Sequence, residues 1–144
     1  MKNQPKSFTV RNIELSGYTS LDKANKYGSY IAEGDVLLDT EGKALLSHLE
    51  SLRELVPDGK AQEFIPWAED TEQPMLFVKC KLRAYGTGKG GKKYKKIVKV
   101  IGGNIPKVGD TVNITVSPFI YEFAKGRGVS LTIKEIEVII EPNN

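Results

Sequence analysis

Apolar and polar residues alternate along most of the chain, with the two-residue period of a β-strand. In the last such stretch, 129–140, the parity changes between Ile133 and Ile136. A β-bulge at 134–135 explains the change, because one extra residue reverses the side that the following side chains face. Strands are predicted at 8–15, 29–38, 76–85, 93–101, 111–117 with its continuation 119–123 after Pro118, and 129–140.

One stretch has the period of an α-helix instead. Its apolar residues form a single stripe, made of Leu45, Leu46, Leu49, Leu52 and Val56. Asp39 or Thr40 is a good N-cap, and Pro57 with Gly59 ends the pattern. The spacing predicts a helix over 39–56.

The remaining segments complete a mainly β protein. Residues 57–74 contain three prolines and many acids, which predict a loop attached to the body by Phe64, Ile65 and Trp67. Gly34 lies inside the strand 29–38 and predicts a bulge. About six strands and one helix, without alternating βα units, predict a single antiparallel β-barrel domain over 1–144.

Charge is divided unevenly along the chain, although the net charge is only +3. Residues 33–72 contain eleven acids and three bases, a sum of −8, whereas residues 73–109 contain ten bases and no acid. A basic segment of this kind is typical of a polyanion site. A lysine-rich hairpin that serves only solubility is the alternative interpretation.

The strand 76–85 has two contrasting faces. One face carries only apolar side chains, and the other carries Phe77, Lys79, Lys81, Arg83 and Tyr85. Single-stranded nucleic acid binds such a mixture, because cations contact phosphates and flat rings stack on unpaired bases. The alternative is an ordinary amphipathic strand whose rings pack under a neighbouring loop.

The glycine–lysine segment 86–96 follows this strand and is open to two interpretations. Glycines let the backbone approach a phosphate chain, and Tyr94 lies among lysines. Residues 86–93 also nearly match the phosphate-binding loop of nucleotide hydrolases. Lys93 replaces the hydroxyl residue of that motif, and a strand follows instead of a helix. We therefore favour a basic hairpin over 76–101.

Composition excludes several classes of protein. One cysteine and one histidine cannot form a disulfide scaffold or a zinc site of Cys and His ligands. Cys80 falls on the apolar face of its strand, and His48 is expected on the surface of the helix. Paired acids such as Glu69 and Asp70 are interpreted as solvated charges. No apolar run indicates a signal peptide or a membrane span, so a cytoplasmic location without a membrane partner is expected.

Residues 76–141 resemble the oligonucleotide/oligosaccharide-binding (OB) domain of the replication single-stranded DNA-binding proteins of short-tailed phages. The resemblance depends on an ordered series of motifs and covers about two thirds of the chain. In chain order, these are the segment Tyr27-Gly28-Ser29-Tyr30 and the helix, the basic strand 77–84 with its lysine hairpin, Ile101-Gly102-Gly103, Ser117-Pro118-Phe119-Ile120-Tyr121, and the glycine turn with the strand 128–138.

The resemblance implies an OB-fold-like barrel with one inserted helix, no enzymatic activity and no cofactor. It implies sequence-independent binding of single-stranded DNA in replication, recombination or repair. The predicted contact residues are Phe77, Lys79, Lys81, Arg83, Tyr85, Lys92, Tyr94, Lys96, Phe119, Tyr121, Lys125 and Arg127, with Tyr18, Lys23, Lys26 and Tyr27 as further candidates.

Partners follow from the same resemblance. Besides single-stranded DNA, it implies polymerase, helicase or recombinase proteins in the host cytoplasm, and it is compatible with a dimer. The family ends in a long acidic tail that recruits proteins and competes with DNA, whereas 140–144 holds one acid. The acidic segment 33–72 is a hypothetical substitute for that competitor. An RNA-binding OB protein and a protein-interaction module remain alternatives, since neither charge nor pattern separates them.

Overall fold

Strands are the main regular structure of the computed structural model, which describes residues 4–139. In chain order its elements are β1 (Phe8–Leu15), β2 (Ser29–Leu37), α1 (Thr40–Arg53), β3 (Glu63–Phe64), β4 (Trp67–Glu69), β5 (Met75–Arg83), β6 (Tyr85–Thr87), β7 (Lys93–Lys95), β8 (Val100–Ile101), β9 (Thr111–Phe123) and β10 (Gly126–Val138). The expected mainly β fold with one α-helix is therefore confirmed for the described residues.

Five strands close into an uneven ring. The neighbours run β5–β2–β1–β9–β10, and β10 returns to β5 through a parallel pairing of Thr132 with Lys81. Away from this pairing β5 and β10 separate, and the segment carrying β3 and β4 fills the opening. There β3 pairs in parallel with β10, and β4 pairs antiparallel with β5. The sheet is therefore a ring of five strands, with the segment carrying β3 and β4 inserted between β5 and β10.

Alternation places the core inside the ring. Val78 and Cys80 of β5 are fully buried, as are Val112, Ile114 and Val116 of β9. The intervening residues of β5, Lys79, Lys81 and Arg83, lie exposed on the outside. The two faces predicted for this strand are therefore present, and the outer one is the cationic face.

The helix covers one end of the ring, as its apolar stripe predicts. Leu49 and Leu52 are buried, and Val56 is buried just beyond the last turn. Trp67 is buried beside the helix, where its indole N–H donates to Glu50 at 2.8 Å. The segment 57–74 is thus attached to the body through Trp67, but it also contains the two short strands β3 and β4.

The helix begins at the predicted cap. The side chain of Asp39 accepts a hydrogen bond from the backbone N–H of Gly42 at 2.9 Å. We expect Asp39→Ala to lower the free energy of unfolding by about 1 kcal/mol, because it leaves a backbone donor without its acceptor. Asp39→Asn keeps an acceptor and is the matched control. Urea denaturation measures both, and equal losses for the two variants would contradict the role of this hydrogen bond.

Bulges occur at two places. The register between β9 and β10 shifts between Ile133 and Glu135, which confirms the bulge predicted there. A second shift lies in β1 between Val10 and Ile13, where Asn12 has a φ of 56°. The bulge expected at Gly34 was wrong, since the pairing of β2 with β5 is continuous. Gly34 instead allows β1 to approach, because a Cβ there would lie 1.9 Å from the carbonyl oxygen of Glu14.

The predicted strand 93–101 is divided in two. Its first part, β7, pairs only with β6 in a separate hairpin, and its second part, β8, pairs in parallel with β10. Between them the backbone N–H of Lys96 donates to the carbonyl of Ala84 at 2.6 Å. β-branched residues favour an extended chain but do not determine its partner, so the division is decided by tertiary contacts.

In the part of the chain described, no helix is long and apolar enough to cross a membrane.

Candidate nucleic-acid interface

Three aromatic rings stand in a row at the end of β9. Phe119, Tyr121 and Phe123 occupy alternate positions and therefore share one face of the strand. The centroids of Phe119 and Tyr121 lie 6.4 Å apart with an interplanar angle of 11°, and those of Tyr121 and Phe123 lie 5.5 Å apart at 22°. Phe119 and Phe123 are exposed and Tyr121 is half-buried between them. The row presents flat apolar surface to solvent.

Phe64 stands on the other side of this row. It belongs to β3, which pairs with Arg127 and Gly128 of β10. A Cβ at Gly126 would lie 2.9 Å from the Phe64 ring, and a Cβ at Gly128 would lie 1.9 Å from the Phe64 carbonyl oxygen. Glycine at both positions therefore allows β3 to approach β10, and the Phe64 ring stays partly exposed.

Two lysines line the space between these aromatic walls. Lys79 and Lys81 project from the outer face of β5, and the backbone N–H of Lys79 donates to the carbonyl of Pro66 at 2.8 Å. The resulting cavity has a volume of about 460 Å³. We call it the aromatic groove and define it by Phe64, Lys79, Lys81, Phe119, Tyr121 and Phe123.

The chemistry of the groove suits an anion that carries flat rings. The phenol of Tyr121 is neutral at neutral pH, and burial raises its pKa further, so it does not repel phosphate. Within residues 4–139, Lys99 is the one base of the segment 73–109 that forms an ion pair, with Glu135 at 3.4 Å. The ammonium groups of Lys79 and Lys81 have no such partner there and can bind phosphates.

The cationic face continues from the groove into a hairpin. Arg83 follows Lys81 on the outside of β5, and β6 and β7 come next. Tyr94 packs its ring across Gly86, where a Cβ would lie 2.4 Å from a ring atom, and Lys96 lies 6.0 Å from the ring centroid. The hairpin residues of the predicted contact set are Tyr85, Lys92, Tyr94 and Lys96, of which all but Lys96 are exposed.

The remaining three predicted contacts are Phe77, Lys125 and Arg127, and each has different surroundings. Phe77 is half-buried on β5 between Asp35 of β2 and Ala68 of β4, and Lys125 is exposed in the turn before β10. Arg127 lies on the other face of β10 from the groove, and its guanidinium donates to the carbonyls of Ala61 at 3.0 Å and Pro57 at 3.2 Å. The structure therefore gives Arg127 a role in holding the segment that carries Phe64.

An ion-pair network supports the same segment. Arg53 at the end of α1 donates to Glu63 at 2.8 Å, and Arg127 lies 3.8 Å from the second oxygen of that carboxylate. The hydrogen bond from Arg53 holds the pKa of Glu63 below its usual value. Because Glu63 precedes Phe64, the network fixes the wall of the groove relative to the helix.

Phe64 and Phe123 were missed as candidate contacts in the sequence. Phe123 lies on the same face of its strand as Phe119 and Tyr121, and the alternation of the sequence indicates this. Phe64 is brought to the groove only by its pairing with β10, for which no local pattern exists.

The other candidates are placed as follows. Tyr18 and Tyr27 are 86% and 80% exposed in the connection between β1 and β2, and Lys26 lies 5.2 Å from the Tyr27 centroid. Cys80 is in the core, where burial raises the pKa of its thiol to about 12. His48 is exposed on α1, as predicted.

No protein-family model and no curated protein matches the chain in sequence. Solved structures match it in fold. gp2.5, a single-stranded DNA-binding protein encoded by bacteriophage T7, matches with a TM-score of 0.75 at 15% identity, over 96% of this chain and 88% of that one. The single-stranded DNA-binding protein from bacteriophage Enc34 matches with a TM-score of 0.60 at 16% identity, over 96% and 84%.

The same Enc34 protein has been solved in complex with single-stranded DNA, and that structure matches with a TM-score of 0.60 at 14% identity, over 95% of this chain and 88% of the other. At these identities the likeness is one of fold. The chain therefore has the fold of these phage single-stranded DNA-binding proteins.

Proposed function

We propose that this protein binds single-stranded DNA without sequence preference and protects it during phage DNA replication, recombination or repair. The observation that carries the proposal is the aromatic groove, in which a row of rings faces two lysines that form no ion pair within residues 4–139. The protein acts by binding rather than by catalysis. It acts in the host cytoplasm, where replication or recombination proteins are further partners. It also associates with itself into dimers.

The roles of the groove residues follow from their chemistry. Bases stack on the exposed faces of Phe119 and Phe123, because every base has a π-face, and this makes the contact independent of sequence. Lys79, Lys81 and Arg83 follow the phosphates along β5 at intervals of two residues, about 6.6 Å. The fold shared with two phage single-stranded DNA-binding proteins supports single-stranded DNA as the ligand.

The first test is a fluorescence anisotropy titration with labelled oligo-dT at two salt concentrations. The matching duplex and oligo-U are the competitors. We expect oligo-dT to bind most tightly and to weaken as salt rises, because bound phosphates release counterions. Equal binding of oligo-U would favour a general or RNA-directed strand binder. If none of the three nucleic acids binds at low salt, the proposal is wrong.

Lysine substitutions test the assigned phosphate contacts. We expect Lys79→Ala or Lys81→Ala to reduce the slope of log affinity against log salt by about 0.7, the value for one phosphate contact on a single strand. Lys43→Ala removes the same charge from the exposed side of α1 and is the matched control. The slope is read from oligo-dT titrations at several salt concentrations. An equal change for Lys43→Ala would mean that net charge alone is responsible.

A further inference from the structure

A second concave surface lies between the first half of β1 and the helix. Its volume is about 650 Å³, and its apolar lining includes Phe8, Leu37, Ala44 and Leu45. We call it the β1–α1 groove. None of its lining residues also lines the aromatic groove, so the two surfaces are separate.

One side of the β1–α1 groove is an unpaired strand edge. β1 pairs with β9 from Phe8 to Glu14, but with β2 only at Glu14 and Leu15. The bulge at Asn12 separates these two halves of the strand. Within the described chain, residues 8–13 therefore have a strand neighbour on one side alone. Such an edge presents backbone N–H and C=O groups that another strand can pair with.

The other side is a second face of the helix. Glu41, Ala44, Leu45 and His48 follow one another at helical spacing and line the groove, whereas Leu49 and Leu52 face the core. The ring of His48 meets that of Phe8 edge-on, with centroids 4.6 Å apart. Ala44 is exposed and Leu37 is 50% exposed. A free strand edge beside a helix face is an arrangement that accepts extended peptides by strand addition.

Charge distinguishes this groove from the cationic face. Asp39 and Glu41 line it from the first turn of the helix, and one base, Arg11, lines it from β1. Glu14 and Asp35 face each other where β1 and β2 begin to pair. In the lining two carboxylates stand against one guanidinium, and the Glu14–Asp35 pair beyond the lining adds negative charge, so this surface repels a phosphate backbone and attracts a basic peptide.

We propose that the β1–α1 groove binds an extended basic peptide of a partner protein, which adds as a strand to residues 8–13 of β1. An apolar side chain of the peptide packs beside Phe8, Leu37 and Leu45. A lysine or arginine of the peptide lies near Asp39 and Glu41. Asp39 and Glu41 of the acidic segment 33–72 thus serve partner binding, and the basic segment 73–109 remains free for nucleic acid.

The test uses blocked heptapeptides of alternating lysine and valine with the full-length, isotope-labelled protein. We expect the backbone amide resonances of residues 8–13 and of the exposed α1 face to shift on titration. A peptide with glutamate in place of lysine should bind about tenfold more weakly or worse, since it reverses the charge. Two further peptides carry N-methyl groups on odd or on even residues. Only one of them should lose affinity, because alternate N–H groups face β1.

Protein variants localise the binding. Ala44→Trp fills the groove from an exposed helix position, and we expect it to abolish the shifts. Ser47→Trp adds the same side chain to an exposed helix position outside the lining and is the matched control. Shifts outside the groove, shifts retained in Ala44→Trp, or equal binding of all peptides would each overturn the proposal. Oligo-dT affinity should be unchanged in Ala44→Trp, so failure here is distinct from failure of DNA binding.

Discussion

Tyr121→Ala is expected to weaken binding of oligo-dT roughly 5- to 150-fold, the equivalent of about 1–3 kcal/mol per stacked base. Tyr121 is the middle ring of the row on β9 and contacts both Phe119 and Phe123. Its loss leaves Phe119 and Phe123, the rings on which the bases stack, without lateral support, so stacking on them is weakened. The dissociation constant measured by anisotropy at fixed salt tests this.

The control for this variant is Tyr121→Phe, which keeps the ring and removes only the hydroxyl. It should bind close to the native level. The slope against salt should be the same in native protein and both variants, since the change removes no charge. A slope that falls in Tyr121→Ala, or an affinity that does not, would contradict a stacking role.

Gly128→Ala is expected to destabilise the protein by about 1–3 kcal/mol and to weaken DNA binding as well. The added Cβ would lie 1.9 Å from the carbonyl oxygen of Phe64, and a backbone atom cannot rotate away from it. β3 would have to leave β10, and Phe64 would move with it. Urea denaturation and an oligo-dT titration at a temperature where the variant is folded measure the two effects.

Gly103→Ala is the matched control, since its Cβ would meet only Val138, at 3.5 Å, an ordinary contact. Phe64→Ala separates the two consequences, because it removes the ring and leaves the backbone of β3 in place. We expect Phe64→Ala to lose affinity with a smaller loss of stability than Gly128→Ala. If Gly128→Ala matches Gly103→Ala in both measurements, the close approach of β3 is not important for the groove.

Features with a local signal could be predicted from the sequence. The helix, its cap at Asp39 and the bulge between Ile133 and Glu135 each depend on residues close together in the chain, and all three are confirmed. The cationic outer face of β5 follows from alternation alone. These signals are strong because one period fixes the direction of every side chain in an element.

Features made by distant pairing could not be predicted in the same way. β3 is two residues long and exists because it pairs with Arg127 and Gly128, so Phe64 looked like part of a loop. Arg127 is a predicted DNA contact through the resemblance of its hairpin to the phage family, and the carbonyls of Pro57 and Ala61 that its guanidinium contacts come from a segment distant in sequence. A sequence gives the charge of a side chain but not the backbone oxygens that surround it.

The closure of the ring has a consequence for how the chain folds as it is synthesised. β1 pairs with β9 across about a hundred residues, and β10 completes the ring by pairing with β9 and with Lys81 of β5. Pairings between residues so far apart in the sequence form late, because the conformational entropy of the long intervening chain must be lost first. The helix can form early, but the barrel cannot close until β10 has left the ribosome. Closure of the ring should therefore wait for β10, and until then β1 lacks its long pairing with β9.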